Sequence, residues 1–326
     1  MLVSVLLFIL GLILLIKGGD WFVDGAVSIA HRFRVPELII GATVVSIGTT
    51  LPEVMVSATS AVAGHGEIAY GNAIGSIICN TALIAAITVA IRPGPVDPKS
   101  LKMPVIFFFG AAAVYALNAY ITGYFSWWIG AILLLIFVAY MFLTIRQGLK
   151  NPLPAEPHEA ETEEKEKKQD SMVMAIIKLI GGAALIAVGA DLLVDHGTVI
   201  ATELGVPESV IALTFVALGT SLPEFVTAIT SLIKGHGALS LGNVIGANIF
   251  NLVLVSGLST VLSPFAVPQS STIAGMNASL VMEIPVMFAV MLILTVPAML
   301  RKKLSRTQGI LLLCIYAAFC VVQFTM

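Results

Sequence analysis

The sequence predicts an all-α membrane protein of about ten transmembrane helices, built as two inverted-topology repeats of five with discontinuous motif helices at the centre. Three observations lead there. Of 326 residues, 58% are hydrophobic and 11% charged, with a mean hydropathy of +1.01, whereas soluble domains carry about 25% charged residues. The apolar residues run in continuous stretches of spanning length, which favours helices over an alternating barrel. The second half also repeats the first at a constant offset of 171, so that Asp20 falls on Asp191 and Glu53 on Glu224.

The stretches lie at about 1–17, 37–62, 68–91, 102–120 and 125–145, then at 172–190, 208–233, 239–262, 277–299 and 308–325. The first lacks the basic start and cleavage site of a signal peptide, and its internal copy argues that it is a span. The predicted units are therefore a first repeat at 1–145, a linker at 146–171 and a second repeat at 172–326. The linker changes character: Asn151-Pro152-Leu153-Pro154 precedes six glutamates interleaved with Lys165, Lys167 and Lys168, a solvated connection without EF-hand ligand spacing. Cys79, Cys314 and Cys320 sit in apolar stretches and suggest neither a disulfide framework nor a metal cluster.

Matches between the halves are densest from residue 36 to 80. Asp20 and Asp24 match Asp191 and Asp195; Pro36-Glu37 matches Pro207-Glu208; Gly64-His65-Gly66 matches Gly235-His236-Gly237. Gly71-Asn72, Gly75 and Asn80 match Gly242-Asn243, Gly246 and Asn251. An odd number of helices per half makes the second enter from the opposite side, the architecture of many secondary transporters. With the N-terminus outside, the inside loops receive Arg32, Arg34, Arg92, Lys99, Lys234 and the 301–306 cluster, and the outside loops no lysine or arginine. The positive-inside rule then puts both termini outside and the linker in the cytoplasm of a multi-pass cell-membrane protein.

The chemistry concentrates in Gly48-Thr49-Thr50-Leu51-Pro52-Glu53 and its near copy Gly219-Thr220-Ser221-Leu222-Pro223-Glu224. A carboxylate in mid-membrane costs roughly 2.5–3.5 kcal/mol on insertion scales, so two in matched settings point to a shared cation. Pro52 lacks an N–H and is expected to free the Gly48 carbonyl, breaking the helix so that carbonyls around Ser46 to Thr49 face a cavity. Thr49 and Glu53 are four apart and share a face. A Ca²⁺ ion takes six to eight oxygens at about 2.3–2.6 Å; two bidentate glutamates supply four and cancel its charge, and the same pair can meet more than one Na⁺. Ser76 and Asn80, with Ala247 and Asn251 in the second half, add i, i+4 pairs on the next helix. The glycines at 71, 75, 242 and 246 allow close helix packing. Asp20, Asp24, Asp191 and Asp195 read as capping or surface groups at helix ends, His65 and His236 as turn residues, and Cys79 as packing.

These paired motifs, with G-N-A-I-G-S-I-I-C-N and G-N-V-I-G-A-N-I-F-N after them, resemble the alpha repeats of the sodium/calcium exchangers of the cation/calcium antiporter superfamily. The resemblance covers essentially the whole chain. It implies a cluster of four cation sites held by Glu53 and Glu224 with Thr49 and Thr220. Ser46 and Thr50 would line the inner side, and Ala217 (through its carbonyl), Ser76 and Thr220 the outer side, with Ser221 the partner of Thr50. It also implies electrogenic exchange of three Na⁺ for one Ca²⁺. Two residues depart from the pattern: Ala247 stands where relatives often have serine, and Asn251 where potassium-dependent relatives have aspartate, which argues against K⁺ dependence.

The expected function is a Na⁺/Ca²⁺ antiporter working by alternating access, with Ca²⁺ and Na⁺ as substrates. It would act as a monomer in the lipid bilayer, without cofactor or nucleic acid. Peripheral helices near 1–17 and 172–190 would slide against the motif helices. A proton-coupled Ca²⁺ exchanger and a cation channel use the same oxygens; a membrane enzyme would need a nucleophile or catalytic metal cluster that the sequence lacks.

Overall fold

The computed structural model of the chain describes residues 2–150, 171–204, 219–269 and 272–325. Nine helices among them are long and apolar enough to span a bilayer. In the first half these are α1 (Leu2–Arg32), α2 (Glu37–Val62), α3 (Gly66–Ile91), α4 (Pro98–Thr122) and α5 (Trp127–Lys150). The second half contributes α6 (Met172–Glu203), a shorter α7 (Leu222–Ile233), α8 (Gly237–Leu262), α9 (Ser279–Arg301) and α10 (Arg306–Thr325). The tenth expected span, 208–233, is described only through α7; Pro207, Glu208 and Ala217 lie outside the described residues.

Local sequence sets the helix ends. Asp97 accepts the Lys99 and Ser100 amides at 3.0 and 3.1 Å and is followed by Pro98, a start signal for α4. Ser171 caps α6 by accepting the Met174 amide at 3.2 Å. Gly64 and Gly235, matched in the repeat, take φ of 86° and 88° in the turns α2–α3 and α7–α8, a backbone region that favours glycine.

Contacts sort the connections onto two ends. At the end carrying the basic loops, Val96 donates its amide to the Lys302 carbonyl at 2.9 Å, and the Arg306 Nε donates to the Ala90 carbonyl at 2.9 Å. At the opposite end, β1 (Tyr124–Phe125) pairs antiparallel with β2 (Phe265–Ala266), and the Gly66 backbone lies against the Phe265 ring. A small hairpin of β3 (Thr272–Ile273) and β4 (Met276–Asn277) precedes α9. Helix direction thus alternates as the sequence requires.

Packing divides the described residues into two bodies. A main apolar core joins α3, α4, α5, α8 and α9, with Tyr70, Phe108, Tyr115, Tyr140 and Phe250 at most 1% exposed. A second cluster joins α1 and α6 with the start of α2. The two peripheral helices run antiparallel in close contact: a Cβ on Gly11 would lie 2.9 Å from the Gly189 oxygen, one on Gly18 2.8 Å from the Ile186 nitrogen, and one on Gly25 2.6 Å from the Leu179 nitrogen. Small residues let two backbones approach where lipid offers no hydrophobic drive to associate. α1 also outruns its apolar stretch: its 31 residues extend about 46 Å, against a hydrocarbon core of about 30 Å. Asp20 and Asp24 therefore lie inside a helix rather than at its end, a correction to the sequence reading.

The two motif helices carry their prolines in different settings. α7 begins at Leu222 after a turn at Gly219–Ser221, with Pro223 in its first turn, where a missing N–H costs nothing. α2 instead carries a π segment at Gly41–Val45, and its helix then runs from Ser46 to Val62 with Pro52 inside. The irregularity falls one turn before the expected Ser46–Thr49 carbonyls. The Gly41 and Ala42 carbonyls there accept the Ser46 and Tyr140 hydroxyls at 2.8 and 2.7 Å. Gly48 serves packing: a Cβ there would meet the Phe22 ring of α1 at 3.0 Å.

Candidate functional site

Glu53, on α2, and Glu224, in the first turn of α7, are both 0% exposed, as are Asn80 and Asn251. Asn80 opens a π segment at Asn80–Ala85 within α3, and Asn251 opens one at Asn251–Val255 within α8. These π turns start at positions matched by the repeat, and such bulges concentrate at functional sites. Nothing in the apolar periodicity announces them; the buried asparagine at each start is the one sequence signal.

Around these four residues the halves exchange hydrogen bonds. The Thr49 hydroxyl donates to Asn243 Oδ1 at 3.2 Å, and its repeat mate Thr220 donates to Asn72 Oδ1 at 3.3 Å. Thr50 donates across the halves to Glu224 Oε1 at 3.3 Å. The Ser46 hydroxyl lies 3.0 Å from the Asn243 carbonyl, and the Asn72 amide donates to Ser57 at 2.8 Å and to the Glu53 carbonyl at 3.3 Å. Asn72 and Asn243 were visible in the sequence only as repeat matches; the structure makes them the acceptors that orient the two motif threonines.

Of the expected site residues, Ser46, Thr49, Thr50, Glu53, Ser76, Asn80, Thr220, Ser221, Glu224 and Asn251 all lie on the motif helices, the turn before α7 and the two helices that follow. All are buried except Thr220, which is partly exposed. Ala217 lies outside the described residues. Ala247 is 0% exposed in α8 and brings no hydroxyl.

Among the described residues, both oxygens of Glu53, Oε2 of Glu224, the Ser221 hydroxyl and both polar atoms of Asn80 and Asn251 have no hydrogen-bond partner. Buried polar atoms are nearly always paired, and buried carboxylates more strictly still. This donor set is all oxygen with amide partners, suited to a hard cation and poor in the sulfur and imidazole that softer metals take. No cluster of three or more His, Cys, Asp or Glu exists among the described residues, which fits a centre made of two carboxylates and neutral oxygens. A cavity of about 550 Å³ lies away from it, at the basic end beside His31, Glu37, Arg92 and Asp97.

The family model described as "Sodium/calcium exchanger protein" matches residues 3–146 and 174–325. An uncharacterized membrane protein of Methanocaldococcus jannaschii is 36% identical over 318 residues, covering 95% of this chain and 94% of the relative. The sodium/calcium exchanger MaX1 of Methanosarcina acetivorans is 31% identical over 353 residues, covering 99% of each. A solved structure of the sodium-calcium exchanger NCX_Mj, from a study of extracellular ion exchange and binding-site occlusion, superposes with a TM-score of 0.80 at 33% identity over 97% of both chains.

Proposed function

The chain belongs to the sodium/calcium exchanger family and is a cation/calcium antiporter, and we propose that it exchanges Na⁺ for Ca²⁺ by alternating access, with Glu53 and Glu224 holding the ions. The observation that carries this is the centre itself: two fully buried carboxylates from opposite halves, flanked by Asn80 and Asn251, with five oxygens free of protein partners among the described residues. Two carboxylates neutralise one Ca²⁺ and equally admit Na⁺, so the two loads compete for one site, which is what exchange requires. Thr49 and Thr220, oriented by Asn243 and Asn72, stand one turn and about four residues from the glutamates on the same faces. Ser46, Thr50, Ser76, Ser221 and the Ala217 carbonyl complete the path on either side.

The basic end is the cytoplasmic one in this reading, because Arg32, Arg34, Arg92, Lys234 and the 301–306 cluster gather there. Both termini then lie outside, and the 146–171 linker inside. The peripheral pair α1 and α6 is the moving body, consistent with its separate apolar cluster.

Proteoliposomes loaded with Na⁺ should take up radioactive Ca²⁺, and vesicles loaded with K⁺ should not. One residue favours a second reading: Ala247 withholds a hydroxyl from the centre, which weakens a Na⁺ site and suits proton-coupled Ca²⁺ exchange. Uptake driven by a pH gradient in the absence of Na⁺ would replace the coupling ion and leave the glutamates in place.

A further inference from the structure

The turn Lys234-Gly235-His236 between α7 and α8 grips the first half at two points. The Lys234 ammonium lies 2.7 Å from Asp24 Oδ1 and 3.3 Å from Asp20 Oδ1, and donates to the Asp20 carbonyl at 3.0 Å. Two residues on, His236 Nδ1 lies 2.8 Å from Glu37 Oε1 at the start of α2, with His31 Nε2 of α1 at 3.9 Å from the same oxygen. Lys234 continues a face of α7 already set against α1. A Cβ on Gly19 would sit 2.8 Å from both Thr230 Oγ1 and Val226 Cγ1, and residues 226, 230 and 234 recur every four positions.

The repeat gives this turn an internal control. Its counterpart at the opposite end, Ala63-Gly64-His65, keeps the glycine in the same backbone region and keeps the histidine, but has alanine where Lys234 stands. The aspartates matched to Asp20 and Asp24 are retained as Asp191 and Asp195. The cationic arm therefore exists at one end only.

We propose, on the alternating-access reading above, that Lys234 is a positioning residue for transport: its bridge to Asp20 and Asp24 latches the peripheral helix α1 across the second motif helix and favours the state closed at the basic end. A slide of α1 along α7 separates these groups, so the bridge contributes to one state and not to the other, which is the condition for shifting a conformational equilibrium. The three side chains are 25%, 41% and 44% exposed. Screening at that exposure limits the expected shift to about fivefold.

The test uses the full chain in lipid nanodiscs, where both faces meet a membrane-impermeant thiol reagent, with Cys314 and Cys320 replaced by serine and buried Cys79 retained. Ser231→Cys reports on the basic side of the centre, since Ser231 is 0% exposed on α7; its repeat mate Ser60→Cys reports on the opposite side. Lys234→Ala should speed labelling at 231 about fivefold and slow it at 60, while Lys234→Arg stays near the parent rate. Lys234→Asp should label at 231 as fast as the alanine variant, and adding Asp24→Lys should bring the rate back. An unchanged rate at 231, or faster labelling at both positions as simple loosening would give, overturns the latch. Labelling needs no ion flux, so Ca²⁺ uptake measured on the same protein separates failure of the latch from failure of the coupling reading.

Discussion

The two halves bring the same threonine, proline, glutamate and asparagine to the site and leave it differently. Past Glu53, α2 presents Val56, 38% exposed, and a partly exposed Ser60; past Glu224, the matched positions on α7 are Thr227 and Ser231, both 0% exposed. Beyond them, the turn at the basic end carries Lys234 bound to α1 and His236 bound to α2, while its mate carries Ala63. On that side α8 also lies against α2 backbone to backbone: a Cβ on Gly246 would come 2.6 Å from the Ala42 Cα, and one on Gly41 2.8 Å from the Asn243 nitrogen. A repeat that kept its paired carboxylates and asparagines has thus diverged in the turns that follow them.

The sharpest way to break the symmetry of the centre is to neutralise each carboxylate in turn. Glu53→Gln and Glu224→Gln should both reduce Ca²⁺ uptake to background in folded protein, since each removes half the charge that balances the ion. Near-normal uptake in one of them would show that the halves do not share the load. Next in size is packing at the basic end. Gly246→Ala should lower unfolding stability by about 1–3 kcal/mol, read as thermal stability in detergent; an unchanged melting point would show that the α2–α8 approach tolerates a methyl group. The threonine acceptors follow. Asn243→Ala should raise the Ca²⁺ concentration for half-maximal uptake about tenfold, as loss of a buried hydrogen bond of about 1.4 kcal/mol implies, and Asn72→Ala should act in the same direction. Because the Asn72 amide also donates to Ser57 and to the Glu53 carbonyl, its replacement should cost more; the reverse order would sink that ranking.

The smallest effect expected is on pH. His236 is held above its ordinary pKa first by its hydrogen bond to Glu37, against the opposing effect of burial, with Asp24 adding to the rise and Lys234 opposing it. His31 also lies near Glu37, and Arg92 and Asp97 line the same cavity. A raised pKa means that the contact's contribution is fully present below about pH 6.5 and fades as pH climbs through the raised value. Labelling at Ser231→Cys should therefore quicken modestly on going alkaline, and His236→Gln should flatten that dependence. A profile unchanged by the substitution would remove His236 from the closure.

Much of the fold was legible because a bilayer imposes strict rules on composition. Unbroken apolar runs marked the helices, and the 171-residue offset exposed the inverted repeat. A carboxylate repeated at the same depth marked Glu53 and Glu224, since a charge is not kept in lipid without a partner. The setting of the motif prolines was not legible: each reads as a helix breaker, yet Pro52 sits inside a continuing helix, while its mate Pro223 lies in the first turn of a described helix. Which form a proline adopts depends on what its neighbours pack against; here Gly48 meets Phe22 of α1.

Sequence by itself therefore determined the helices, the repeat and the two carboxylates, each recorded in local composition or in identity at a fixed spacing. Tertiary structure alone decided the rest: the π turns at Asn80 and Asn251, the pairing of Thr49 with Asn243 and Thr220 with Asn72, and the reach of Lys234 to aspartates more than 200 residues earlier. Those depend on where separate helices come to rest against one another. Hydrogen bonds and ion pairs act over a few ångströms through space, and no spacing along the chain encodes that distance.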